Sequence, residues 1–172
     1  MDLLIELFDQ DIFPSKHKPK LISYNLRRAA RAVLLDSKNQ VALLHVSHHN
    51  FWKLPGGGID QGETIFEGLK REIREEVGCS VSKIKSIGET LEFRNQTNTV
   101  QVSYCFTGKA VKPFSKIHLE DDELADGLNL HWVSLSKAVS LIKNSNPTNY
   151  DGHFIKLRDL AILHKAKQVL KL

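Results

Sequence analysis

The sequence predicts an α/β protein with one apolar core. Three observations lead there. Two runs rich in Val, Leu and Ala, at residues 28–35 and 40–47, suit paired strands; a helical apolar stripe follows at Phe66, Leu69, Ile73 and Val77; and strand-like and then helical patterns continue to the C-terminus. A length of 172 residues suits one domain, since domains usually hold roughly 100 to 200 residues.

The first two runs are separated by Asp36-Ser37-Lys38-Asn39, a turn-forming segment that makes them a hairpin. The chain then enters Lys53-Leu54-Pro55-Gly56-Gly57-Gly58, where proline removes a donor and the glycines allow main chain to approach a ligand. Thr64-Ile65-Phe66-Glu67 has the Ser/Thr-x-x-Glu form of a capping box, so a helix is expected over 65–77, with Gly78 as its stop. Strands follow at about 84–93 and 99–112, joined by the polar turn Arg94–Asn98. In the second, Val100, Val102, Tyr104 and Phe106 alternate onto one face. Residues 113–127 read as a long acidic loop, Leu130–Val133 as a short strand, and Ser134 or Ser136 as the cap of a further helix. Residues 144–152 are linker-like, and a terminal helix is expected over about 154–170.

Composition narrows the class. The hydrophobic fraction of 41% and charged fraction of 26% are those of a water-soluble globular protein, and no stretch approaches the roughly 20 apolar residues of a membrane span. Neither a secretion signal nor a disulfide framework is evident. Cys79 and Cys105 read as ordinary half-buried thiols, which points to the reducing cytoplasm. A net charge of +4 falls short of the dense basic surface of a nucleic-acid binder. Much of the excess lies in Lys156, Arg158, Lys165, Lys167 and Lys171, expected on the solvated face of the last helix.

Glu72, Glu75 and Glu76 stand at i, i+3 and i+4 of the first helix, which gathers three carboxylates on one patch. Such a patch repels itself unless positive charge offsets it. Lys70, Arg71 and Arg74 can do so in a surface network; a hard divalent cation can do so as well, with the glycine loop supplying carbonyls and amides. Gly57, Glu63, Arg71-Glu72-Ile73, Glu75-Glu76 and Gly78 fall at the spacings of G-x(5)-E-x(7)-R-E-U-x-E-E-x-G-U, where U is a bulky apolar residue. The segment therefore resembles the Nudix box at every fixed position; Cys79 in the last apolar slot is the one departure. With the flanking strands, the Trp132-Val133 strand and the helix after it, the resemblance spans about residues 28–145.

The resemblance implies the Nudix fold, an α/β/α sandwich with a mixed central sheet, over residues 28–172. Residues 1–27 precede it as an extension that adds a strand or a dimer contact. It also implies a magnesium- or manganese-dependent hydrolase of diphosphate linkages. Glu72, Glu75, Glu76 and the Gly56 carbonyl are the implied metal ligands. Arg71 and Glu63 orient them, Gly57 belongs to the supporting loop, and the general base lies on the box or on a later loop. Glu123 is the candidate outside the box, with Glu120 in reserve.

The implied substrate is a small nucleotide-type molecule, a nucleoside triphosphate or a nucleotide sugar. Removal of pyrophosphate from an RNA 5′ end, or nucleotide sensing without catalysis, are the alternatives. The downstream signatures of ADP-ribose, diadenosine polyphosphate, NADH and coenzyme A hydrolases are missing. Trp52, Phe51 and Tyr104 either stack a base or pack the core. Arg158 either meets a substrate phosphate or pairs with Asp159 or another acid. His45, His48 and His49 lack the cysteines or acids that a transition-metal site needs.

Overall fold

The computed structural model describes residues 2–14, 23–111 and 116–171. One mixed sheet of seven strands organises it: β1 (Leu3–Phe8), β2 (Asn25–Leu35), β3 (Val41–Val46), β4 (Phe51–Lys53), β5 (Ser80–Arg94), β6 (Thr99–Val111) and β7 (Leu128–Val133). Its order is β1-β5-β6-β2-β3-β4, with β7 on β3. β1 runs parallel to β5 and β2 parallel to β6, while the other pairs are antiparallel. The helices are α1 (Asp9–Ile12), α2 (Ile65–Val77), α3 (Asp121–Ala125), α4 (Leu135–Lys143) and α5 (Tyr150–Leu170). No helix among the described residues is long and apolar enough to cross a membrane.

Two apolar layers sandwich the sheet, because alternate residues of β2 and β3 face opposite ways. Ala30, Ala32, Leu34 and Ala42 meet Leu69, Ile73 and Val77 of α2 on one face. Val33, Leu35, Val41 and Leu43 meet Ala138 and Ile142 of α4 and Ile162, Leu163 and Ala166 of α5 on the other. Full burial of each such Val, Leu or Ile side chain contributes about 1.5–3 kcal/mol. α2 spans the expected residues. Thr64 caps it by accepting from the Glu67 amide, the Glu67 side chain reaches back to Thr64, and Gly78 ends it in the left-handed region. Its stripe is narrower than expected, because Phe66 is half exposed, its ring meeting that of Phe106.

Other expectations change at their edges. β2 begins at Asn25 and β5 at Ser80, earlier than the apolar patterns suggest, because the partner strands carry polar and apolar residues alike into pairing. Asp36 stabilises the first turn by accepting from the amides of Lys38 and Gln40. The acidic loop is not all loop: α3 forms within it, Glu120 at its N-cap and the acids Asp121, Asp122 and Glu123 in its first turn. Residues 113–115 of that expected loop, and residue 112 of the expected strand, lie outside the described residues. α5 starts at Tyr150, before the expected boundary, because the Asn149 side chain accepts from the Gly152 amide. Cys79 and Cys105 are fully buried free thiols, and Arg158 lies in the interior rather than on a solvated face.

The join between β2 and β3 positions the site. They pair only at Leu35↔Val41. Beyond that point the edge of β2 is taken by the glycine loop: Ala30 N donates to Gly57 O at 3.0 Å, Ala32 N to Pro55 O at 3.0 Å, and Ile59 N to Arg28 O at 3.0 Å. The loop thus replaces a strand, and its main-chain groups are satisfied without leaving the sheet.

Candidate active site

α2 buries its Leu69–Ile73–Val77 stripe, which turns the neighbouring carboxylates toward the glycine loop. Glu76 is 1% exposed. Its Oε2 accepts from the Gly56 amide at 2.6 Å, and Lys53 Nζ lies 2.8 Å from Oε1 without hydrogen-bonding alignment. Lys53, at the end of β4, also sits 3.7 Å from Glu123 Oε1. The structure places Glu123 of α3 beside Glu76, whereas Glu120 serves as the N-cap of α3. Burial and the nearby Glu76 charge push the Glu123 carboxyl up to about 7, against the pull of Lys53.

Arg71 ties the remaining acids together. Its Nε donates to Glu63 Oε1 at 2.9 Å and its Nη1 to Glu72 Oε1 and Glu75 Oε2, each at 3.0 Å. Nη2 donates to Gly58 O at 2.8 Å and to Glu63 Oε2 at 3.1 Å. Hydrogen bonding to Arg71 and to the Asp60 amide holds the Glu63 carboxyl below its ordinary range. Burial and the Glu76 charge push Glu72 the other way, with Arg31 and Arg71 in opposition. Among the described residues no three acidic, histidine or cysteine side chains already converge as a closed cation cage. Glu72 and Glu75 are turned to Arg71, and Glu76 to Lys53 and Gly56.

The two loop glycines are demanded by space. A Cβ on Gly56, at φ +124°, would lie 2.1 Å from Ala30 O. One on Gly57 would lie 2.3–2.4 Å from the carboxyl atoms of Glu72. Beside Glu76 opens a pocket of about 480 Å³, lined also by His118, Leu119, Leu124 and Asn129.

Trp52 and Arg158 are not brought to these carboxylates. Trp52 precedes Lys53 and so takes the opposite face, where its ring stacks on His45 at 4.3 Å, meets His131 edge-on at 4.9 Å and packs against the α4–α5 layer. Phe51 is core, and Tyr104 packs under α2. The Arg158 Nε donates to Asp159 Oδ1 at 2.7 Å, and Asp159 Oδ2 accepts from the Leu54 amide at 2.7 Å. His48 and His49 engage Ala125 O and Asp126. The sequence reading missed Lys53 and Arg31. The available signals were a lysine at the mouth of the glycine loop and a charge inside the apolar run Ala29–Leu35.

The glycine loop and the acidic helix seated on a mixed sheet define the class, and the family model described as the NUDIX domain matches residues 25–153. The chain belongs to the Nudix family of hydrolases. It is 40% identical over 144 residues to an RNA pyrophosphohydrolase of Sulfurovum sp. (strain NBC37-1), a match covering 73% of this chain and 90% of that protein. A second RNA pyrophosphohydrolase, of Ruthia magnifica, is 40% identical over 58 residues, covering 34% of this chain and only 32% of that protein. Among solved structures it is similar to the NUDIX domain of Shewanella oneidensis NrtR complexed with ADP ribose. The TM-score is 0.61 and the identity 19%, over 92% of this chain and 96% of that one, a likeness of fold.

Proposed function

We propose that the chain is a magnesium- or manganese-dependent hydrolase that cuts a diphosphate linkage in a small nucleotide-type molecule, a nucleoside triphosphate or a nucleotide sugar. The observation that carries this reading is Glu76: a buried carboxylate whose Oε1 has an ion pair but no hydrogen-bond donor, within one helical turn of Glu72 and Glu75. An all-oxygen donor set of this kind fits a hard divalent cation. Glu72, Glu75 and Glu76, with the Gly56 carbonyl, would hold it. When bound, such an ion neutralises diphosphate charge and makes a coordinated water more acidic.

The chain's own residues do the rest. Arg71 and Glu63 fix the orientation of Glu72 and Glu75, the kind of supporting contact whose loss typically costs 10- to 100-fold in metal affinity or activity. Glu123, placed opposite Glu76 across Lys53, accepts at its carboxylate the proton of the attacking water. Lys53 limits the repulsion between Glu76 and Glu123 and supplies positive charge beside the diphosphate. The pocket next to Glu76 receives the group attached to the diphosphate.

A second reading, removal of pyrophosphate from an RNA 5′ end, is favoured by the match to the Sulfurovum protein of that name over 90% of its length. One experiment separates them: release of phosphate or pyrophosphate from nucleoside triphosphates, nucleotide sugars and 5′-triphosphorylated RNA, with magnesium or manganese and with a chelator. Metal-dependent release from the small molecules is expected, and Glu76→Gln is expected to reduce it at least about 100-fold while leaving the circular dichroism spectrum unchanged. Release from RNA alone selects the second reading. Full activity in folded Glu76→Gln removes Glu76 from the metal site, and saturable binding without turnover would make the chain a nucleotide sensor.

A further inference from the structure

A second cavity, of about 320 Å³, is lined by Arg27 and Arg31 of β2, Arg94 at the end of β5 and Arg158 of α5, together with Gln101 and Thr99 of β6 and one carboxylate, that of Asp151. Bringing four guanidinium groups together is costly unless anions offset them. Arg94 is offset by Glu92 and Asp151, each at 3.0 Å, and Arg158 by Asp159 at 2.7 Å and Glu92 at 3.7 Å. Arg27 donates instead to the neutral Gln101 side chain, and Arg31 Nη1 to Ala30 O. Neither has a carboxylate within ion-pair distance among the described residues.

Arg31 Nε, Arg94 Nε and both Nη atoms of Arg158 are buried and lack an acceptor among the described residues. Arg158 itself is 0% exposed, Arg31 6% and Arg94 8%. Folded proteins seldom leave buried donors in this state, and planar guanidinium forks match the oxygens of a phosphoryl group. The cavity also adjoins the glycine loop: Arg27 Nη2 lies 3.2 Å from where a Cβ on Gly58 would stand, and Arg31 follows Ala30, whose amide binds Gly57 O.

We propose that this cavity is a second phosphate subsite, which receives a phosphoryl group carried by the substrate in addition to the diphosphate that is cut. The assignment rests on the hydrolase reading above, and it narrows the substrate to molecules bearing such an extra phosphate. A volume of about 320 Å³ accommodates the phosphate with part of the group that bears it.

The test begins with inorganic phosphate titrated calorimetrically into the full chain in a chelating buffer, so that binding does not depend on a metal or on turnover. Binding at one site is expected. It should weaken tenfold or more in Arg27→Ala, whose exposed side chain can be removed without opening the core, and stay unchanged in Glu76→Gln. A further variant, Arg158→Met, is expected to remove binding if circular dichroism shows it folded. No phosphate binding, or equal binding by the wild type and Arg27→Ala, overturns the subsite. With metal restored and a hydrolysed diphosphate in hand, inorganic phosphate should raise KM and leave kcat alone. A fall in kcat at constant KM would make the cavity an effector site and overturn the substrate-borne assignment. If no diphosphate is cut at all, the hydrolase reading fails while the metal-free titration still decides whether the arginines bind phosphate.

Discussion

Gly56 and Gly57 are neighbours with the same side chain and separate obligations. A methyl on Gly57 meets the mobile end of Glu72, at 2.3–2.4 Å, so the carboxylate can swing away and leave the fold intact. A methyl on Gly56 meets the Ala30 carbonyl at 2.1 Å in a backbone conformation unsuited to L residues, so the loop itself must leave β2. Gly57→Ala is therefore expected to keep its melting temperature and lose turnover by about 100-fold, the scale of a 1 Å misplacement at a reacting centre. Gly56→Ala is expected to lose stability as well, and a thermal melt alongside an activity assay distinguishes them. Equal activity in folded Gly57→Ala would show that the position of Glu72 is irrelevant. The box residues were legible because their chemistry is local: Glu72, Glu75 and Glu76 share a patch by helical periodicity alone. Lys53 and Arg31 were hidden because the groups that meet them, Glu76 beside Lys53 and the guanidinium groups of Arg94 and Arg158 around the cavity that Arg31 lines, are distant in sequence and are brought there only by tertiary packing.

Among the elements, α2 was the most readable because independent local signals agree on it: the Thr64–Glu67 capping box, the Leu69–Ile73–Val77 stripe and the Gly78 stop. Its cap gives a direct measure of how far the helix depends on local chemistry. Thr64→Ala removes the acceptor for the Glu67 amide and is expected to lower unfolding stability by about 1 kcal/mol, read as a shifted urea midpoint at constant slope. No shift would mean that packing of the stripe alone sets the helix start. α3 and the first turn of α5 were less readable. α3 is five residues of acidic chain with no buried side chain, and the start of α5 depends on a single Asn149 cap in a stretch that composition makes linker-like.

Across the whole molecule, Glu92 joins layers that sequence distance keeps apart. It is fully buried on β5, accepts from Arg94 and from Gln101 of β6, and lies 3.7 Å from Arg158 of α5. Burial alone would raise its carboxyl pKa, but Arg158 and Arg94 hold it below the ordinary value of 4.5. A depressed folded-state pKa contributes stability that is present above the unfolded value and is lost as pH falls through the folded one. Stability should therefore fall with acid below about pH 4.5. Glu92→Gln should be less stable at pH 7, since breaking a buried pair costs about 3–5 kcal/mol, and should show a shallower acid decline in urea unfolding. An acid decline identical to that of the wild type would mean other carboxylates set it.

The hydrogen bonds that hold the glycine loop to β2 have a consequence for scale. The loop is registered on Ala30 and Ala32, and Arg27 and Arg31 project from the same strand. A strand advances about 3.3 Å per residue and does not stretch. β2 is therefore a gauge: it sets how far Arg27 and Arg31 stand from the glycine loop against which Glu76 is held, and so the length of molecule that would reach from one to the other.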